Sequence, residues 1–332
     1  MSNKSINFPI DFVVTWVDDT DLEWKKQRQA FSQEEQDDKS ETRFRDTGLF
    51  KYWFRAVEKY TPWVNHIYLV TNGQIPKFLN LSNKKITLIN HKDIMPATAL
   101  PTFNSNAIEF SLNNIQGLNE HFVVFNDDMF INRNLQPIDF FSSDGLPKDT
   151  AGLNQIMPVE NFDHISANNI TIINQQFNKA EVMKKHWPLF FNIKNGPLNI
   201  YTALLCFFPR FSRIYDLHIA YSFNKSLFNS FTENNEVAVK KTIHTKFRAI
   251  TDISLWGARY YQIVTGNISP RKYNFGKFYT FENEEKIIYD LKTEKHGIID
   301  INDTVVEDYE RIIDHINIAF QDKLTQKSSY EL

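Results

Sequence analysis

The sequence predicts a mixed α/β protein with a mostly parallel sheet, flanking helices and a Rossmann-like plan. Three observations carry this. Short β-branched and aromatic runs recur as "DFVVTWV", "HIYLVTN", "KITLINH" and "HFVVFNDD". Segments with apolar residues at helical spacing stand between them. Their order of strand, helix, strand, strand, helix, strand is the rhythm of crossover connections. With 332 residues and 42% hydrophobic content the chain can bury a large core, and it reads as one domain over 1–332.

The first strand, 11–17, runs into the acidic turn "DDTD", 18–21. From Leu22 to about Gln36 the charged composition reads as a solvated helix or loop, and "EEQDDKSETRFRD" as an exposed connection. Leu49, Tyr52, Trp53, Ala56, Val57 and Tyr60 recur at helical spacing within 47–64, and Pro62 stops that helix. "HIYLVTN" is the second strand, broken by Gly73, and "KITLINH", 85–91, the third. "NSNAIEFSLNNIQGL", 104–118, opens on capping-type residues and closes near Gly117, which predicts a helix. "HFVVFNDD" is the fourth strand. Beyond it 133–185 is largely loop-like, and "ANNITIINQQF" fits strand or helix. From about 214 the chain reads as helical through "AYSFNKSLFNSFTENNEVAVKKTIHTKFR" and "DISLWGARYYQIVTGN". The amphipathic tail "DTVVEDYERIIDHINIAFQDKL" is expected to pack on the core, and the last eight residues to fray.

A net charge of -3 and a pI near 6.3 argue against nucleic acid as a partner. The single cysteine, Cys206, excludes an internal disulfide and a thiolate metal site, and reads as a buried small hydrophobe in a reducing compartment. The N-terminus lacks a basic segment followed by an apolar run, so the expected location is cytoplasmic. The most apolar window, "LNIYTALLCFFPRF" at 198–211, falls short of the roughly 20 residues of a spanning helix. It is a core or interfacial segment, and a peripheral membrane contact through 187–211 stands as a reading beside helix packing.

Ligands of open α/β sheets gather at the carboxyl ends of strands, which places Asp18, the Thr71-Asn72-Gly73 turn and Asn126-Asp127-Asp128 on one rim. Adjacent aspartates suit Mg²⁺ or Mn²⁺, which can neutralise a diphosphate, but such pairs also cap turns. Arg43, Arg45 and Asp46 of "RFRD" fit either anion binding or a surface ion-pair cluster. Glu109 falls about one turn inside its helix, facing the rim or solvent. His218 and Arg248, 30 residues apart, share no local motif. No phosphate-cradling glycine motif, Ser-His-Asp set or zinc spacing is present. The residues alone lead to an α/β domain able to bind a metal and a phosphorylated ligand.

Together, "DFVVTWVDDTD", "RFRDTGLFKYWFRAVEKYTPWVNHIYLVTNGQIPKFL" and "LPTFNSNAIEFSLNNIQGLNEHFVVFNDDMF" resemble the first two conserved regions of the Stealth family of sugar-phosphate transferases. That family includes bacterial capsular polysaccharide phosphotransferases and the catalytic subunit of the lysosomal-enzyme N-acetylglucosamine-1-phosphotransferase. "YDLHIAYSF" through "IHTKFRAITDISLW" resembles its third region and "GIIDINDTVVEDYERIIDHINIAF" its fourth. The likeness covers 9–132, about 214–260 and about 297–320, leaving 133–213 as a variable, acceptor-facing part.

The resemblance implies a nucleotide-sugar-binding catalytic domain that moves a sugar 1-phosphate, N-acetylhexosamine 1-phosphate above all, from a UDP-sugar to a growing capsular or cell-wall glycan. UMP leaves, and the glycan is met at the inner face of the plasma membrane. It implies a catalytic set of Glu109, Asp128, His218 and Arg248, with Asp127 and Asp128 on Mg²⁺ or Mn²⁺. His218 is the expected base and Glu109 the alternative. Asp11, Trp16 and Asp18 would build the nucleotide end; Asn72, Gly73 and Asn126 its floor; Arg43, Asp46 and Asp252 would bind diphosphate or hold the site in register. One departure is visible: many members have proline two residues after the histidine, where this chain has Ala220. A metal-dependent glycosyltransferase releasing UDP and a non-catalytic glycan-binding relative are the competing readings.

Overall fold

The computed structural model describes residues 6–32, 45–159 and 163–332. Four parallel strands form the centre of the main sheet: β1 (Ile10–Thr15), β2 (His66–Thr71), β3 (Ile86–Asn90) and β4 (His121–Asn126). Their order is β3-β2-β1-β4, and an antiparallel strand, Tyr221–Asn224, closes the edge beyond β4. The architecture is the mixed, mostly parallel α/β arrangement expected.

The register aligns the strand ends. Asp11 lies opposite Phe122 and Thr15 opposite Asn126, so Thr15, Thr71 and Asn126 close one rim while Asp11 opens the other. Successive residues of a strand face opposite sides. Phe12 and Val14 pack with Trp53, Val123 and Phe125 on one side of the sheet. Val13 packs with Phe122, Val124, Phe110 and Phe231 on the other. Both faces are covered, which is why these strands read as continuous apolar runs. Helix α1 (Leu22–Phe31) starts on an Asp21 N-cap, and α2 (Phe50–Tyr60) buries Tyr52, Trp53, Ala56 and Val57 at the predicted spacing.

Past β4 the chain turns at Asp127-Asp128 into β5 (Met129–Ile131), which leaves the main sheet and joins a second one. There β5 pairs antiparallel with Ile298–Asn302, with Asp300 opposite Met129. A third apolar cluster, including Leu153, Ile173, Phe190, Ile214 and Tyr260, organises 151–268.

Several expectations are corrected. The helix anticipated over 104–118 is a short helix, Ser105–Glu109, followed by a 3-10 turn, Leu112–Asn114. "YSFN" forms the edge strand, because it lies beside β4 with its side chains buried. "ANNITIINQQF" is helical, within Asp163–Gln176. The last eight residues do not fray: Tyr330 is buried, Glu331 takes two hydrogen bonds from Arg55, and the Leu332 amide donates to Phe78.

Candidate active site at the carboxyl rim of the sheet

Four side chains from four segments meet beyond the rim of β4. Glu109 is the last residue of the short helix Ser105–Glu109, whose N-cap is Asn104. At the other end of that helix Ser105 Oγ accepts from the Arg248 guanidinium, at 3.2 Å from Nε and 2.5 Å from Nη2. One helical turn thus carries a carboxylate and anchors an arginine. His218 enters from the loop preceding the edge strand, and Trp256 from a helix, Leu255–Val264. Glu109, Asn126, His218, Arg248 and Trp256 line one open cleft.

His218 is oriented from behind. Its Nδ1 lies 2.6 Å from Asp300 Oδ2, and Asp300 is fully buried. Trp256 and Phe278 meet the ring edge-on at 6.1 and 5.7 Å. With Nδ1 engaged, Nε2 is the nitrogen left for a ligand, the base-and-orienter arrangement of many catalytic histidines. The missing proline has a substitute in packing: Ile219 and Ala220 are buried in the main core and hold this backbone. Desolvation alone would lower the His218 pKa, but Asp300, Asp128 and Glu109 hold it up at about 9.

The carboxylates show the reverse. Burial pushes Glu109 up to about 7, against the pull of Arg248 and His218. Desolvation likewise raises Asp127 to about 7, with Asp46 and Asp300 adding repulsion. Asp128 is raised by desolvation first, then by Asp300, with His218 opposing. Asp128 Oδ1 and Asp300 Oδ1 are both shielded from solvent without a hydrogen-bond partner. Such oxygens are costly to leave unanswered.

These hard oxygens suit a divalent cation. Among the described residues no three His, Cys, Asp or Glu side chains form a metal cage. Mg²⁺ commonly takes one or two carboxylates and completes its shell with water and substrate phosphates, so Asp128 with Asp127 or Asp300 fits that chemistry.

The other expected residues divide. Asp46, raised by burial and by Asp18 and Asp19, continues the acidic strip away from Asp127. Asp18 is clamped through its backbone by Gln74, which donates to its carbonyl at 2.8 Å. Gly73, at φ 109, passes so close to Asn90 that a Cβ would stand 2.8 Å from Nδ2, so the turn requires glycine. Asn72 lines a separate hollow with Trp24, His91 and Phe103. Trp16 stacks on Phe50 at 5.9 Å in the core and leaves its Nε1 without a partner. Asp252 accepts from Asn104, Thr245 and the Ala249 amide, holding the Arg248 loop in register. Arg45 pairs with Asp303 at 3.3 Å and lies over Tyr309. Arg43 lies outside the described residues.

Asp11 is a correction. It stands at the amino end of β1, across the sheet from the cleft, where Asn65 and Asn119 donate to its carboxylate. A residue opening a parallel strand cannot reach the carboxyl rim. Asp300 is the residue sequence reasoning missed; an aspartate inside the apolar run "GIIDIN" was the available signal.

The comparisons with known proteins agree over nearly the whole chain. Residues 8–36 match the profile described as Stealth protein CR1, conserved region 1, and 43–149 that of Stealth protein CR2, conserved region 2. An exopolysaccharide phosphotransferase, cps2G of Lactiplantibacillus plantarum, is 49% identical over 98% of this chain and 96% of its own. A capsular polysaccharide phosphotransferase, WcwK of Streptococcus pneumoniae, is 41% identical over 97% and 98%. A receptor polysaccharide phosphotransferase, WefC of Streptococcus gordonii, is 35% identical over 97% and 99%. Among solved structures, the galactosyltransferase LgtC is 10% identical, with a TM-score of 0.37 over 93% of this chain and 95% of that one.

Proposed function

The chain belongs to the Stealth family, and from that premise we propose that it is a polysaccharide phosphotransferase that moves a sugar 1-phosphate from a UDP-sugar to a glycan hydroxyl at the inner face of the plasma membrane. The acceptor oxygen attacks the β-phosphorus. The bond from that phosphorus to the oxygen bridging the two phosphates breaks, UMP leaves, and a phosphodiester joins sugar to glycan. The observation that carries this reading is the cleft itself, where a fixed guanidinium, a histidine held protonated and the raised carboxylate of Glu109 converge.

Arg248, anchored on Ser105, supplies a guanidinium for the phosphoryl oxygens, on which charge builds during transfer. His218, held protonated at neutral pH by Asp300, adds a second cation through Nε2. Glu109, at about 7, changes charge near neutrality and is the better matched group to take the acceptor proton. That exchanges the roles first expected of His218 and Glu109. Asp128, with Asp127 or Asp300, would hold Mg²⁺ or Mn²⁺, which when bound would neutralise the donor diphosphate.

The test is product identity. The full chain is incubated with a panel of UDP-N-acetylhexosamines, a short glycan acceptor and Mg²⁺ or Mn²⁺, and products are read by phosphorus NMR and mass spectrometry. UMP and a phosphodiester-linked sugar are expected. UDP with a plain glycosidic bond would overturn the proposal in favour of an ordinary glycosyltransferase.

A further inference from the structure

The segment 178–213 presents an apolar helix face to solvent on a rigid base. The short helix Leu198–Leu205 is amphipathic in the inverted sense. Leu198 and Thr202 point inward, while Ile200 is 66% exposed and Leu204 63%, and just beyond its end Phe207 is 87% and Phe208 61% exposed. Ile193 at 91% and Trp187 at 58% are also exposed in this segment. Ile200 and Leu204 share one face at helical spacing, and Phe207 and Phe208 follow on the turn just past the helix end. Scattered exposed apolar residues need no explanation, but a contiguous set does.

This surface is held out. Thr202 Oγ1 accepts from the Leu153 amide at 2.9 Å, and Asn199 donates to the Asn192 carbonyl at 2.8 Å. Lys179, itself buried, donates to the carbonyls of Leu205 and Phe208, so its ammonium fixes the turn bearing Phe207 and Phe208. Cys206, expected in the core, is only half-buried on this turn.

The charge around it is one-sided. Between Lys179 and Arg213 the sequence carries six Lys or Arg and one acidic residue, Glu181, in a chain whose net charge is -3. Lys184, Lys185, Lys194 and Arg210 are exposed in the same stretch of chain.

We propose that this surface docks the protein on an anionic lipid bilayer, with Phe207, Phe208 and Leu204 entering the headgroup and acyl boundary and the flanking lysines meeting lipid phosphates. Aromatic and aliphatic side chains on one face with cations around them are the pattern of interfacial segments. A second copy is the poorer occupant, because a self-complementary contact would bring like-charged rims together. Arg210 and His218 are eight positions apart in the chain, joined through the short strand Arg213–Ile214. The inference deepens the membrane-side part of the proposed function and rests on it for its purpose, while the surface itself is read independently of the chemistry.

The experiment is co-sedimentation of the full chain with phosphatidylcholine vesicles with or without phosphatidylglycerol. UMP release with a soluble glycan acceptor and the thermal midpoint are followed in parallel. Binding to phosphatidylglycerol vesicles is expected to fall roughly tenfold or more on phosphatidylcholine alone, in high salt, or in a combined Leu204→Ser, Phe207→Ser, Phe208→Ser variant. That variant should keep its midpoint and its soluble transfer. Failure of the parent to bind anionic vesicles, or undiminished binding by the folded variant, overturns the inference, as does a parent dimer that the variant dissolves without vesicle binding. Vesicle binding without UMP release with any donor would instead remove the proposed function and leave the surface standing.

Discussion

Two clusters of buried charge lie within this molecule, and they are built on opposite rules. Around Arg259, 1% exposed, nearly every group is answered. Its guanidinium donates to both oxygens of Asp149 at 2.7 and 2.9 Å and to Asp216 at 2.6 Å. It also donates to the carbonyls of Thr150 and Tyr215. Arg213 and Tyr260 complete Asp216, so the burial that raises its pKa is opposed by three donors. Beside the cleft, Glu109, Asp128 and Asp300 act on one histidine, Glu109 alone meets Arg248, Asp127 adds repulsion on Asp128, and two of these carboxylate oxygens have no partner. Burial of charge is common to both. What separates them is balance: the first cluster is complete without a ligand, the second only with one.

The largest expected effect follows from breaking the complete cluster. Arg259→Leu leaves Asp149 buried without its ion-pair partner and Asp216 with Arg213 alone, which should lower unfolding free energy by about 3–5 kcal/mol in urea denaturation. A variant as stable as the parent would show that the network adds nothing, and the contrast would collapse.

Asp128→Asn is the opposite experiment. It removes a buried charge that Asp300 and Asp127 repel and that His218 answers only in part, so the thermal midpoint should hold or rise. Turnover should drop about 10²–10³-fold, as for loss of one group that stabilises transition-state charge. Undiminished turnover in the folded variant would end the assignment of Asp128 to the reaction.

These clusters also differ in how far the sequence discloses them. Asp128 is legible because a β-branched run ending in two aspartates places them at a strand's carboxyl end. The same logic excludes Asp11, which opens its strand; the family likeness drew it into the site, and strand direction removes it. Asp300 is hidden because its importance comes from meeting His218, 82 positions away in the chain, a contact that no local pattern reports. The Arg259 network is equally silent in sequence, since Asp149, Asp216 and Arg259 come from three separated segments. The parallel core was readable from periodicity. The edge strand was not, because "AYSFN" runs directly into the helix Lys225–Asn234, whose spacing dominates the window.

The smallest effect, and the finest test of imbalance, is the pH dependence of Glu109→Gln. The folded protein holds the Glu109 proton more tightly than the unfolded chain, because burial raises the carboxyl from 4.5 to about 7. Ionisation therefore costs stability progressively between those values, and by the full amount above them. Glutamine removes that cost. The variant should match the parent near pH 4 and gain on it to about 2–3 kcal/mol near pH 8, less whatever support His218 loses with its neighbour. His218 in the parent, raised from 6.5 to about 9, favours folding below 6.5 and ceases to do so as pH rises through 9. In kinetics, kcat/KM of the parent should rise through a pKa near 7, and that limb should vanish in the variant. Parallel stability curves from about pH 4 to 8 would mean that Glu109 is as well answered as Asp216, and that the cleft is a second structural network after all.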